Sequence, residues 1–278
     1  MMRSLLRLFF ALIFMCSSVI SIASSVDTIK TFSTCMRKEI KAVVIKPDCY
    51  KKGKKFPVTY LLHGFSGNYS DWVKKVPAIQ SLVDEYNVII VCPDGNYSSW
   101  YVDSPIDSTD KYETYIEKEL VSYVDSHYKT INDSTGRAIT GLSMGGHGAL
   151  FLAIRHQDIF GAAGSMSGCV DIRPFKENWN ISDRIGTYAK YPNNWETFSV
   201  INMASTIKPN TLALIFDCGT NDFFGGVNEA LHKKLQSLEI PHDYTSRPGG
   251  HTWEYWSNSV QYHMLFFSNY FKEHANIK

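Results

Sequence analysis

Residues 138–150 read AITGLSMGGHGAL, with four glycines crowded around one serine between an apolar run and a helix-like segment. Glycine near a helix start costs about 1 kcal/mol relative to alanine. The crowding therefore implies a backbone that turns sharply or approaches another backbone closely. Gly141-Leu142-Ser143-Met144-Gly145 has the form G-x-S-x-G, in which a serine stands on a strained strand-to-helix turn with its hydroxyl lifted clear of the sheet. An ordinary glycine-rich turn before a helix reads the same over five residues. The surrounding chain has to decide between the two.

On either side of this stretch, apolar runs alternate with segments of helical period. Strands are predicted over 40–45, 58–62, 88–92, 137–140, 162–166 and 211–216, with another near Tyr244. Helices are predicted over 112–128, 227–238 and 253–271. Continuous apolar strands interleaved with helices specify an α/β domain with a mostly parallel central sheet and helices on both faces. No repeat or linker interrupts it, so residues 26–278 are read as one domain. Residues 170–208 break the rhythm, being rich in Trp, Tyr, Asn and Pro. Such an insertion is a lid or binding loop, or else a surface loop with a small core of its own.

A formal charge of +1 and the lack of a basic stripe give no electrostatic argument for nucleic acid. Arg3 and Arg7 precede an apolar run from Leu8 to Ile22, and Ser21-Ile22-Ala23 offers small residues for a signal peptidase. Residues 1–25 are accordingly expected to be a secretory signal peptide, too short in its apolar run for a membrane span of about 20 residues. The mature protein is expected to be secreted or periplasmic, with no stable membrane insertion after cleavage. Beyond the leader stand Cys35, Cys49, Cys92, Cys169 and Cys218. An odd count without C-x-x-C argues against a zinc site. Cys35 and Cys49 flank a predicted strand and pair only if the chain doubles back. No metal or cofactor is expected.

In a parallel sheet, reactive groups gather on loops at the carboxyl ends of strands. Ser143 follows the strand ending at Thr140, Asp222 follows the one ending near Phe216, and His251 follows Gly249-Gly250 after the last strand. The chain order serine, acid, histidine is that of an α/β-hydrolase fold. A serine hydroxyl is a weak nucleophile and needs a base, which histidine supplies near neutral pH. A carboxylate fixes the histidine tautomer and stabilises the imidazolium. Asp217 competes with Asp222 for this role, but sits too near the strand interior to reach over the sheet top. A developing oxyanion needs preformed backbone donors. The turn His63-Gly64-Phe65 directly after a strand offers the amide of Phe65, to be paired with that of Met144.

Four stretches in order, LLHGFSG (61–67), GLSMGGHGAL (141–150), DCGTNDFF (217–224) and PGGHTWEYW (248–256), resemble the esterase D-type α/β-hydrolases over about residues 35–272. That family includes S-formylglutathione hydrolases, tributyrin-type esterases, feruloyl and acetylxylan esterases, and mycolyltransferases. The resemblance implies Ser143 as nucleophile, Asp222 as acid and His251 as base, in agreement with the order of the motifs. DGNYSSWYVD (94–103) resembles the family's stretch bordering the acyl pocket, which implies substrate-binding roles for Trp100 and Tyr101; packing beneath the loop is the alternative. The expected function is a secreted serine carboxylesterase working through an acyl-serine. Its expected partner is a small-molecule or polysaccharide-linked ester, such as a feruloyl or acetyl group on plant xylan. Acyl transfer to a sugar hydroxyl uses the same site, and a non-catalytic carbohydrate-binding protein on the same fold is a third reading. Oligomeric state is not legible.

Overall fold

The computed structural model describes residues 24–275 except residue 53. The leader expected at 1–25 lies outside these residues but for Ser24, whose amide donates to Asp84 Oδ2 (3.2 Å), and Ser25, which opens the first strand. Eight strands are present among the described residues: β1 (Ser25–Ser33), β2 (Lys38–Lys46), β3 (Val58–Leu62), β4 (Ile89–Pro93), β5 (Arg137–Gly141), β6 (Ala162–Met166), β7 (Ala213–Gly219) and β8 (Asp243–Arg247). They form one sheet in the order β1-β2-β4-β3-β5-β6-β7-β8. From β4 to β8 all neighbours are parallel, while β2 pairs antiparallel with both β1 and β4.

Residues of β3, β4, β5 and β6 are buried at every position, as strands covered on both faces must be. Tyr60 and Leu62 face a core covered by the helical segment 112–127 and by the helices Met144–Arg155 and Gly225–Ser237. Leu61 between them faces a second core, under Ile79–Tyr86 and Trp253–His274. β1 has no apolar run. Its sequence SVDTIKTFS alternates exposed and partly buried positions, as an edge strand with one covered face does, so apolar periodicity does not reveal it.

Cys35 and Cys49 do not pair with each other. The Cys35 sulfur lies 3.3 Å from Ser33 Oγ, and the Cys49 thiol donates to Asn87 Oδ1 at 2.8 Å. Among the described residues no helix is long and apolar enough to cross a membrane.

The 170–208 insertion joins the main core and does not build a separate one. Its helices Ile181–Ile185, Pro192–Thr197 and Val200–Met203 direct Ile181, Ile185, Trp195 and Val200 into the same cluster as the sheet. Trp195 is fully buried and its indole N–H donates to Gly186 O at 2.9 Å. Arg184 bridges the insertion to the 94–110 loop, donating to Ser98 O (3.0 Å) and Asp110 Oδ2 (2.9 Å). Trp195→Ala should therefore cost on the order of 3–5 kcal/mol in global stability. Thermal melting reads the loss, and limited proteolysis should cut the variant within 170–208 while the wild type resists. A Trp195→Ala protein that melts like the wild type would make the segment an independent flap.

Candidate active site

β5 ends at Gly141, Leu142 bridges to Met166 at the end of β6, and Ser143 takes φ 55° and ψ −118°. Such a conformation costs a non-glycine residue about 1–3 kcal/mol and persists only where its surroundings impose it. The Ser143 amide donates to Met166 O at 2.9 Å, and the helix Met144–Arg155 starts at the next residue. None of the four glycines around Ser143 has a positive φ. What they supply is close approach. A Cβ on Gly145 would lie 2.5 Å from His63 O and 2.7 Å from Leu62 O, so the first turn of the helix rests backbone against backbone on the end of β3.

The three motif residues meet over the carboxyl edge of the sheet. His251 Nε2 lies 2.9 Å from Ser143 Oγ, and His251 Nδ1 lies 2.8 Å from Asp222 Oδ2. The Asp222 side chain is wholly buried, and its Oδ1 accepts the Phe224 N–H at 2.9 Å. The loops bearing Asp222 and His251 are laced together, Thr220 N donating to Arg247 O (2.8 Å) and Asn221 N to Gly249 O (2.9 Å). Asp217, the competing carboxylate, lies inside β7 and is bound elsewhere, by His263 Nε2 (3.0 Å) and Arg247 Nη2 (3.3 Å). Burial pushes its carboxyl upward, but the bond from His263 and the nearby positive charge outweigh this and hold it below the usual carboxylate range.

Among the described residues, the amides of Phe65 and Met144 find no acceptor in the two turns beside Ser143. In the first, Ser66 N donates to Tyr97 O and Gly67 N to Gly64 O; in the second, Ser143 N and Gly145 N are taken by Met166 O and Leu142 O. His63 fixes the first turn. Its Nδ1 bonds Gly64 O (2.8 Å), and its Nε2 accepts the Gly95 N–H (2.7 Å). Burial lowers its pKa, which keeps the ring neutral and able to accept at Nε2.

Trp100 and Tyr101 stand behind the site and not in it. Both have positive φ (55° and 58°), which turns the side chains down into the core, where they are 3% and 0% exposed. The Tyr101 hydroxyl donates to His63 O (3.0 Å), and Trp100 Nε1 donates to Trp179 O (3.0 Å). The direct substrate contact expected of them is replaced by support: Tyr101 props the turn bearing Phe65, and Trp100 anchors the insertion.

A cleft of about 310 Å³ opens at Ser143 and His251. Its walls include Phe65, Trp179, Phe223, Trp253 and Trp256. Phe223 is 55% exposed, packs on the His251 ring (centroids 4.4 Å apart) and stacks on Trp179 (5.6 Å, 18° between planes). The sequence carried a signal for Phe223 and Trp253, since each stands within two residues of a motif residue. Trp179 had none beyond the aromatic bias of the insertion.

A family model named Esterase matches residues 33–266. Esterase Rv1288 of Mycobacterium tuberculosis is 29% identical over 238 residues, covering 75% of this chain but only 51% of that protein, so the chain spans about half of its length. The diacylglycerol acyltransferase/mycolyltransferase Ag85B of Mycobacterium leprae is 29% identical over 284 residues, covering 86% of each. Among solved structures, a ferulic acid esterase superposes with a TM-score of 0.78 at 28% identity, over 90% of this chain and 99% of that one.

His147, on the helix after Ser143, carries a pH signature. It is buried between Trp100 (5.3 Å) and Phe151 (5.7 Å), and its Nε2–H donates to Phe198 O at 2.8 Å. Burial pushes its pKa from 6.5 down to about 4. The unfolded chain therefore binds a proton here before the native state does, and native stability falls as pH drops from about 6.5 towards 4. The full swing is on the order of 3 kcal/mol. The melting-temperature gap between wild type and His147→Gln should accordingly narrow as pH is lowered from 7 to 4. A gap that stays constant would mean that His147 does not titrate differently in the folded protein.

Proposed function

The chain belongs to the Esterase family, whose model spans most of it, and from that premise we propose that it is a serine carboxylesterase acting through an acyl-serine intermediate. The observation that carries the reading is the continuous hydrogen-bonded line from Ser143 through His251 to buried Asp222, beside two amides with no acceptor. As Ser143 Oγ attacks the ester carbonyl carbon, His251 Nε2 takes the hydroxyl proton and Asp222 stabilises the imidazolium. The carbonyl oxygen, now an oxyanion, is met by the N–H groups of Phe65 and Met144. Collapse breaks the bond to the leaving alcohol, and His251 returns its proton to that oxygen. Water, deprotonated by His251, then attacks the acyl carbon; the bond from that carbon to Ser143 Oγ breaks, His251 gives its proton to Oγ, and the acid leaves.

On the substrate side, the favoured esters carry a planar ring, a feruloyl group on plant polysaccharide being the leading case. The aromatic cleft wall and the likeness to a ferulic acid esterase support this. Offset aromatic faces suit phenolic acyl groups and sugar rings alike. Acyl transfer to a sugar hydroxyl differs only in which nucleophile reaches the acyl-serine, and the likeness to Ag85B keeps it as the second reading. Export follows from the leader expected at 1–25, and amino-terminal sequencing of secreted protein tests it.

Ser143→Ala should lower turnover of a nitrophenyl ester by a factor on the order of 10⁴ to 10⁶ and abolish labelling by a fluorophosphonate, with the melting temperature unchanged. Wild-type activity in the folded variant would sink the reading. For the substrate class, Phe223→Ala should lower kcat/KM for methyl ferulate at least about tenfold relative to nitrophenyl acetate, because a lost pocket contact acts on the ratio between substrates. An equal fall for both esters would assign Phe223 to His251 packing alone.

A further inference from the structure

A second buried histidine–carboxylate pair lies in the core under the sheet edge that bears Ser143, Asp222 and His251. His263, on the helix Trp253–His274, is wholly buried, with Nδ1 2.8 Å from Thr140 Oγ1 and Nε2 3.0 Å from Asp217 Oδ2. The same Asp217 oxygen accepts from Arg247 Nη2 at 3.3 Å and from the Ser259 hydroxyl. Thr140 is on β5, Asp217 on β7 and Arg247 on β8. Each stands a few residues before a member of the reactive line: Thr140 before Ser143, Asp217 before Asp222, Arg247 before His251. The three strands that feed the loops of Ser143, Asp222 and His251 thus each contribute one residue to one polar cluster.

Bridging β5 to β7 means crossing β6, which lies between them. The crossing is made at Gly164. A Cβ there would lie 2.4 Å from His263 Nδ1 and 2.8 Å from Thr140 Oγ1, so the imidazole occupies the space that any side chain on β6 would fill. The arrangement needs Gly164, Thr140, Asp217 and His263 together, and no one of them is explained by apolar packing.

From this geometry we propose that Thr140, His263, Asp217 and Arg247 form a positioning network that sets the separation of the loops bearing Ser143, Asp222 and His251. The proposal rests on the esterase reading for its activity readout. Burying a carboxylate with a charged partner at the core's edge is a weak source of stability, since apolar residues of similar volume often do as well. Directional bonds add what apolar contacts cannot, because they fix distance and angle between side chains at the ends of the paired strands. The reactive line needs that fixity, as displacement by about 1 Å from a remote change can cost 10²-fold in rate.

The test uses the full chain with Thr140→Val, which keeps shape and removes the hydroxyl, Thr140→Ser, which restores it, and Arg247→Gln at the partly exposed end of the row. Positioning predicts that Thr140→Val and Arg247→Gln each lower kcat for nitrophenyl acetate by on the order of 10-fold to 10²-fold with KM unchanged, well below the melting temperature. Thr140→Ser should recover most of the rate. In the same variants, the far-downfield proton NMR resonance of the His251–Asp222 hydrogen bond should shift or broaden, and it should return in Thr140→Ser. Variants that melt lower but keep wild-type kcat and an unmoved resonance would overturn the proposal and leave the row a scaffold. An inactive wild type whose resonance still responds to Thr140→Val would sink the esterase reading while sustaining the network. Should Thr140→Val fail to fold, Arg247→Gln decides by the same two readouts.

Discussion

The first turn of the helix Met144–Arg155 lies directly on the end of β3, and the rest of the site depends on that contact. With Gly145 against His63 O and Leu62 O, the strand that carries Ser143 and the turn that carries Phe65 are brought as close as two backbones allow. Ser143 absorbs the strain of the sharp turn out of β5, at φ 55°. Two consequences follow from one approach. Ser143 Oγ lies 2.9 Å from His251 Nε2, and the turn bearing Phe65 stands beside the helix start at Met144. A side chain at residue 145 would separate them.

The geometry around Ser143 is held in place by residues set back from it. His63 uses both ring nitrogens to close the turn below Phe65, and its neutrality, set by burial, is a condition of accepting the Gly95 N–H. Tyr101 bonds the carbonyl of the same histidine, and Trp100 bonds the insertion at Trp179. Residues 94–101 therefore link the His63–Phe65 turn to the aromatic wall of the cleft. That wall is continuous with His251 itself, through Phe223 between Trp179 and the imidazole.

Two aspartates five residues apart illustrate how environment divides roles. Asp222 stands past the strand end, accepts from a backbone amide and from His251, and faces the cleft through that ring. Asp217 points into the core, tied to His263 and Arg247. β7 runs on to Gly219, three residues beyond its apolar stretch. That extension is what locks Asp217 inside the ladder and leaves Asp222 to the loop.

By itself the sequence determined the parallel core, because continuous apolar runs such as 58–62 and 162–166 can be strands only where both faces are covered. It also determined the order and spacing of Ser143, Asp222 and His251, since each follows a strand end marked by glycine or a motif. The esterase family could be read from those motifs for the same reason. β1 was not legible, because an edge strand with one wet face leaves no apolar run. Neither was the inward turn of Trp100 and Tyr101: a backbone that swings through positive φ at two successive residues reverses the side expected from loop position. The course of the insertion, the meeting of Trp179 with Phe223 and the crossing of His263 over Gly164 belong to tertiary structure alone. Each joins residues dozens of positions apart, and nothing in their local sequence encodes the partner.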